Sequence, residues 1–332
     1  MKKKIFFAVS FIVGIVLFIG VISGIGLDNI VGIFHSFSTN YILLFLVASI
    51  SILLGKTYKW QIILRSHGES IGFFRLMMCK LSGIAISFIT PIAMMGGGFA
   101  MGYLLTKEKV KSPIAISSVV LDKSFELIMS LLFTVFGVII ILTSSAIKGN
   151  TLLLLGIMPI IFFLMIFFMY DRIRKKKGIF TSLFKTLKID KVKWLKKYNK
   201  VIRKSEKNVV LFLKENKKES IKALIVTALS WGLMLLEYKF ALLAIGLDVN
   251  WAVIFATIAV VGLTYSVPIP AALGVLEGGQ ASLFSAIGLG AGAGVALSLV
   301  IRIRDILWTL IGLIYLTLKG MGLAKRNILE DS

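Results

Sequence analysis

Nine apolar runs leave this chain few ways to fold. They cover residues 5–25, 41–55, 81–105, 113–142, 151–170, 221–247, 251–267, 271–289 and 291–318. About 20 apolar residues in a helix cross the hydrocarbon core of a bilayer. No water reaches the backbone there, so only helices and closed barrels satisfy its N–H and C=O groups. The marks of a barrel, two-residue alternation and Asn-Gly turns, are missing. The expectation is an all-α integral membrane protein. Composition agrees, because the 332 residues are 58% hydrophobic and 16% charged. Soluble chains lie nearer 45–50% and about 25%. A soluble enzyme, a disordered tail and a collagen-like fibre are excluded.

The chain is basic as well as oily, with a net charge of +22. A bilayer accounts for both properties, since cationic loops face anionic headgroups. Membrane phospholipids are the expected partners. Nucleic acid is not, because the cations flank apolar spans and form no nucleic-acid module. A single cysteine, Cys79, excludes an internal disulfide, and two histidines, His35 and His67, exclude a His-rich metal centre. No metal or cofactor is expected. The phosphate-binding G-x-x-x-x-G-K-[ST] loop, H-E-x-x-H and G-x-S-x-G are all missing, so neither ATP hydrolysis nor a zinc or serine hydrolase is indicated.

Charge also gives a topology for a multi-pass protein of the cell membrane. Lys2, Lys3 and Lys4 hold the N-terminus in the cytoplasm, and run 5–25 reads as an uncleaved anchor. Lys56, Lys59, Arg65, Arg75 and Lys80 read as cytoplasmic, as do Lys107, Lys109 and Lys111. Both flanks of run 81–105 then lie on one side. Within that run stand Pro91 and Gly96-Gly97-Gly98, which disfavour continuous helix. A re-entrant hairpin over 71–106 is expected. Run 251–289 carries no cation on either flank and is broken by Pro268 and Pro270, followed by Gly274, Glu277, Gly278 and Gly279. It reads as a second hairpin, open to the outside. Pro91 precedes Asp122 by 31 residues and Pro270 precedes Arg302 by 32. Two broken hairpins, each followed by a long charged helix, suggest an inverted repeat with its site near the midplane.

The expected organisation is one membrane domain with about six full spans and two hairpins. Residues 1–170 form the first half and 219–332 the second. Segment 171–218 joins them, with 18 of the 38 cations and four acids. Phe180, Leu183, Phe184 and Leu187 repeat at helical spacing there, as do Leu195, Tyr198 and Ile202. A basic amphipathic segment at the cytoplasmic membrane surface is expected. The C-terminus, with Lys319, Lys325 and Arg326, reads as cytoplasmic too.

Charges inside the spans are the candidate site, because ionisable groups at membrane depth are expensive unless paired or hydrated. Asp122 and Glu126 share one helix face at i, i+4, with Lys123 beside them. Arg302, Arg304 and Asp305 stand in the last span and Glu277 in the second hairpin. Asp122 or Glu126 is expected to pair with Arg302 or Arg304 across the halves. Arg302 and Arg304 suit a phosphate, whose oxygens match a guanidinium fork. Glu277 suits a cationic group or a coupling proton, and Gly274 and Gly278 let backbone approach a ligand. Asp122, Lys123, Glu126 and Asp305 suit gating or proton relay. Glu237 and Lys239 read either as span-internal or as near an interface, and rank lower. Trp60, Trp194, Trp251 and Trp308 read as interface anchors.

Several of these stretches resemble one family. They are Trp60-Gln61-Ile62-Ile63-Leu64 with Gly68, Pro91 to Gly98 with Tyr103-Leu104-Leu105, Ser117 to Glu126, and Pro268 to Gly278 with Arg302. The resemblance is to the lysylphosphatidylglycerol synthase transmembrane region family of flippase-like proteins, over nearly the whole chain. Members often carry an arginine shortly after the first glycine motif, where this chain has Phe99-Ala100-Met101-Gly102. An acid-Arg-x-x-Asp pattern is represented by Asp122-Lys123-Ser124-Phe125-Glu126. The resemblance implies a protein that moves aminoacylated phosphatidylglycerol or a polyprenyl-linked headgroup across the bilayer. The soluble synthase domain of the fused members is not in this sequence, so no catalytic residue is assigned. A lipid aminoacyl- or glycosyltransferase would need a separate soluble catalytic chain. A small-solute secondary transporter stays open, as does a homo-oligomer.

Overall fold

The computed structural model describes residues 2–26, 28, 37–90, 96–143 and 193–330. Ten α-helices and one 3-10 turn are found among them, with no strand. Helix α1 (Lys2–Ile25) ends at Gly26, whose φ is +87°. Helix α2 (Thr39–Ser66) outruns its apolar run because Lys56 and Lys59 stay helical, and it stops only before Gly68, at φ +77°. Helices α3 (Phe73–Ile89) and α4 (Gly96–Lys107) take up the broken run, and α5 (Ser112–Thr143) follows. Helix α6 (Lys193–Glu215) leads through Asn216 into α7 (Lys217–Ala244). Helix α8 (Trp251–Tyr265) opens on Asn250, whose side-chain oxygen accepts from the Val253 N–H at 3.1 Å. Pro268 and Pro270 end helical hydrogen bonding, and the chain makes the 3-10 turn Pro270–Ala272 before α9 (Val275–Ala286) and α10 (Ala291–Glu330).

The antiparallel pair α2 and α7 forms the largest helix–helix contact. Ser38 N–H donates to Ala244 O at 2.9 Å at one end, and Gly55 abuts Ser230 farther along. Helices α4 and α8 pack on α5, whereas α9 and α3 pack on α10. Helix α1 crosses the 3-10 turn and α9. Close approach of α3 and α4 depends on glycine, since a Cβ on Gly97 would lie 1.9 Å from Gly83 O. The Gly97 N–H also donates to Ser87 Oγ at 3.0 Å.

Polarity is distributed inside out. Val47 and Leu229 are 59% and 64% exposed, whereas Lys59, Asp122 and Glu277 are fully buried. Water would not tolerate such a surface over whole helices, but lipid does. Among the described residues, α2 and α7 are long and apolar enough to cross a membrane, and α8 and residues 11–25 of α1 are shorter apolar helices.

Lys56, Lys59 and Lys80, which read as cytoplasmic flanks of the apolar runs, sit inside α2 and α3, and Lys59 and Lys80 are buried. One expectation, that for Trp60, is corrected. Trp60 is not an interface anchor: it is buried, and its indole N–H donates to Ser118 Oγ at 3.3 Å. At the described end of the basic segment, Val209 and Phe212 are buried against Ile63, Leu121, Phe125 and Ala223. Run 151–170, Pro91 and the Phe180 to Leu187 repeat lie outside the described residues.

Candidate functional site

Burial leaves an ionised side chain only one stable course, which is to find opposite charge and hydrogen bonds. The helix charges do so in three groups. In the first, Asp122 on α5 meets Lys59 on α2 at 3.0 Å and Lys80 on α3 at 2.9 Å. Lys59 also reaches Glu126 at 2.6 Å and donates to Asp122 O at 3.1 Å. Glu126 takes a further contact from Lys56 at 3.8 Å and accepts from the Trp231 indole of α7 at 3.4 Å. Lys80 lies 5.5 Å from the Trp60 ring centre and donates to Lys56 O. The i, i+4 spacing of Asp122 and Glu126 aims both at α2, as the helical period requires. Three ammonium groups thus face two carboxylates, and the cluster opens only at Lys56 and Glu126.

In the second group, Arg302 on α10 pairs with Glu277 on α9, one contact being Nη2 to Oε2 at 2.8 Å. The same guanidinium donates to Ala271 O at 3.0 Å and Ala272 O at 3.3 Å. Four of its five N–H groups are so committed. Glu277 Oε2 in turn accepts from the Gly274 N–H at 2.9 Å. This side-chain pair holds the turn between α8 and α9. The turn needs holding, because Ala271 and Ala272 have φ of +56° and +47°, a region that costs an L-residue about 1–2 kcal/mol. Gly274, at φ +74°, lies against Leu17 and Phe18 of α1, where a Cβ would stand 2.4 Å from Leu17 Cβ.

In the third, Arg304 donates to Glu237 on α7 at 2.6 Å and to Asp305 at 3.0 Å, and Tyr265 at the end of α8 donates to Asp305. Glu237 is 1% exposed and serves as a core partner of Arg304. Lys239 is the one at an edge, paired with Asp248.

The expected pairing of Asp122 or Glu126 with Arg302 or Arg304 is overturned. Each acid finds a lysine of α2 or α3 instead, and each arginine finds an acid of α7, α9 or its own helix. Lys123 points outward and is exposed. Gly96 and Gly97 are buried at the start of α4, and Gly278 lies near Val21 of α1. The sequence reading missed Lys56, Lys59 and Lys80 as site residues. A signal existed, since no turn residue separates Lys59 from the apolar Trp60–Leu64 stretch and the first glycine comes only at 68. His67 ends α2, with Nδ1 2.8 Å from Ile63 O and its ring stacked on Phe212. Cys79 is buried. No cluster of metal-ligating side chains occurs among the described residues.

Comparison with known proteins gives concordant matches. The family described as "Lysylphosphatidylglycerol synthase TM region" matches residues 5–312. A UPF0104 membrane protein of Methanothermobacter thermautotrophicus is 23% identical over 308 residues, covering 89% of this chain and 90% of that protein. A UPF0104 membrane protein of Methanocaldococcus jannaschii is 28% identical over 137 residues, covering 41% of this chain and 39% of that protein. The matched stretch therefore spans about two-fifths of the second relative and nearly all of the first.

Proposed function

Since this chain belongs to the lysylphosphatidylglycerol synthase transmembrane-region family, and is an integral membrane protein, we propose that it moves a phospholipid or lipid-linked headgroup across the cell membrane. The observation that carries this reading is the placement of buried ion pairs beside both helix breaks. Arg302 and Glu277 grip the turn between α8 and α9. Lys80, on the arm that leads to the first break, is bound to Asp122.

An inverted repeat supports the same reading. Thr39 to Lys217 and Phe73 to Trp251 are each 178 residues apart, and Gly96 to Val275 and Ser112 to Ala291 are each 179. Four consecutive helices, α2 to α5, thus start in step with α7 to α10. Packing is reciprocal under that exchange, as α3 lies on α10 and α8 on α5, α4 on α5 and α9 on α10. The 3-10 turn touches α3, so the two broken elements meet. Such repeats place substrate between discontinuous helices near the midplane. Gly96 opens α4 after the first break, Pro268 and Pro270 stand in the second, and each broken pair is a re-entrant hairpin.

Arg302 works by exchange. Four of its five N–H groups are held by the chain, two of them by Glu277, so a phosphate gains a two-pronged seat on it by displacing Glu277. The freed Glu277 carboxylate then takes the cationic part of the headgroup or a proton. The contacts of Arg304 with Asp305, and of Asp122 and Glu126 with Lys59, open and close around this step. An unliganded site is thereby shut without leaving a bare charge in lipid.

The test is a vesicle assay with purified protein and headgroup-labelled phosphatidylglycerol, lysyl-phosphatidylglycerol and a polyprenyl phosphate. Leaflet exposure of one of them should change with the native chain and fall at least tenfold with Arg302→Ala or Glu277→Gln. Movement of no lipid by folded protein would sink the transport reading and turn attention to a partner-dependent transferase.

A further inference from the structure

Away from the buried pairs, a cavity of about 290 Å³ opens where the end of α2 faces the start of α7. Tyr58, Gln61 and Arg65 line it from α2, at i, i+3 and i+7 on one helix face, and Asn216, Glu219 and Lys222 line it from the other side. Arg65 and Lys222 make no ion pair among the described residues, unlike the lysines buried deeper in α2 and α3. Asn216 precedes α7 without capping its first turn by a side-chain bond. The Ser220 hydroxyl is buried nearby with no partner. The cavity is therefore a donor-rich, cationic recess with one carboxylate. It lies at the water boundary, because Lys214, Lys217 and Lys218 around the α6–α7 junction are exposed.

Two apolar stripes run from this recess into the membrane. Val47, Ile50, Leu54 and Tyr58 are exposed along α2, and Ile221, Ile225 and Leu229 along α7. From Val47 to Tyr58 a helix rises about 16 Å, comparable with an acyl chain. Free phosphate would use the recess but leave the stripes idle. A phospholipid uses both.

We propose that this recess docks one phospholipid with an amine-bearing headgroup. Arg65 and Lys222 hold the phosphate by charge-assisted hydrogen bonds, Glu219 receives the ammonium, and the acyl chains lie along the two stripes. This goes beyond the transport reading, since none of these residues belongs to the three buried groups.

Native mass spectrometry of the full chain in detergent tests it, with phosphatidylethanolamine, phosphatidylglycerol and soluble glycerophosphoethanolamine as probes. Phosphatidylethanolamine should be retained at one per chain, and Arg65→Gln with Lys222→Gln should weaken retention at least tenfold. Glu219→Gln should bring phosphatidylethanolamine down to the level of phosphatidylglycerol. Soluble glycerophosphoethanolamine at equal concentration should not displace the lipid. Unchanged retention in the double variant overturns the site, and equal displacement by the soluble probe reassigns it to a water-soluble phosphoester. Lys222→Gln alone, at an exposed position, is the second variant should the double one fail to fold, and it should still weaken retention severalfold. Arg302→Ala should lose translocation yet keep the bound lipid, so the two readings fail separately.

Discussion

At the scale of single residues, the first polar group is held by charge matching rather than by any one bond. Removing Lys59 leaves Asp122 with Lys80 and Glu126 with the distant Lys56. Breaking a buried pair by deleting one partner costs about 3–5 kcal/mol. Lys59→Met should therefore unfold more readily by roughly that amount in a denaturant titration in micelles. Lys59→Met with Glu126→Gln removes one charge of each sign and should recover part of the loss. A double variant no better than Lys59→Met would mean that the cluster is solvated. Arg302 differs in needing its shape as well as its charge. An ammonium cannot reach Glu277 and two carbonyls together, so Arg302→Lys should loosen the α8–α9 turn, read as faster hydrogen exchange at Ala272 and Leu273. Unchanged exchange there would show that the turn holds itself.

At the scale of elements, the break between α3 and α4 depends on a glycine whose neighbour looks equivalent in sequence. A Cβ at Gly97 meets Gly83 O at 1.9 Å, but at Gly98 it meets only Val119 at 3.5 Å. Overpacking of this kind costs about 1–3 kcal/mol. Gly97→Ala should lower the thermal midpoint clearly and Gly98→Ala hardly at all. Equal effects would show that glycine serves only as a helix breaker there. Proline and glycine in stretches 81–105 and 251–289 made both breaks legible, because each removes helical hydrogen bonding or backbone restriction. The partner across the break was not legible, since Gly83 becomes its neighbour only once α3 folds back on α4.

At the scale of the whole molecule, the proposed inverted repeat makes a statement about sides. With Cys79 replaced by serine, a cysteine at Lys109, between α4 and α5, should react with a membrane-impermeant reagent from the cytoplasm. One at Leu289, between α9 and α10, should react from outside. Labelling of both from one face would sink the inverted topology, whatever the helix offsets.

The sequence by itself determined the solvent, the helical class and the positions of both breaks. Runs of apolar residues, prolines and glycines act locally, through hydration and backbone geometry, and need no partner to be read. It also marked Asp122, Glu277, Arg302 and Arg304 as charges that lipid would not accept unpaired. Only the tertiary structure decided who pairs with whom. Lys59 and Lys80 read as cytoplasmic cations because charge near a span end usually faces water, and their burial depends on α5 delivering Asp122 and Glu126 to α2 and α3. Arg302 looked free for a phosphate, and only the left-handed turn at Ala271 and Ala272 brings two carbonyls and Glu277 within reach of one guanidinium. Pairing is a property of distance in space, and spacing along the chain carries it only within a single helix.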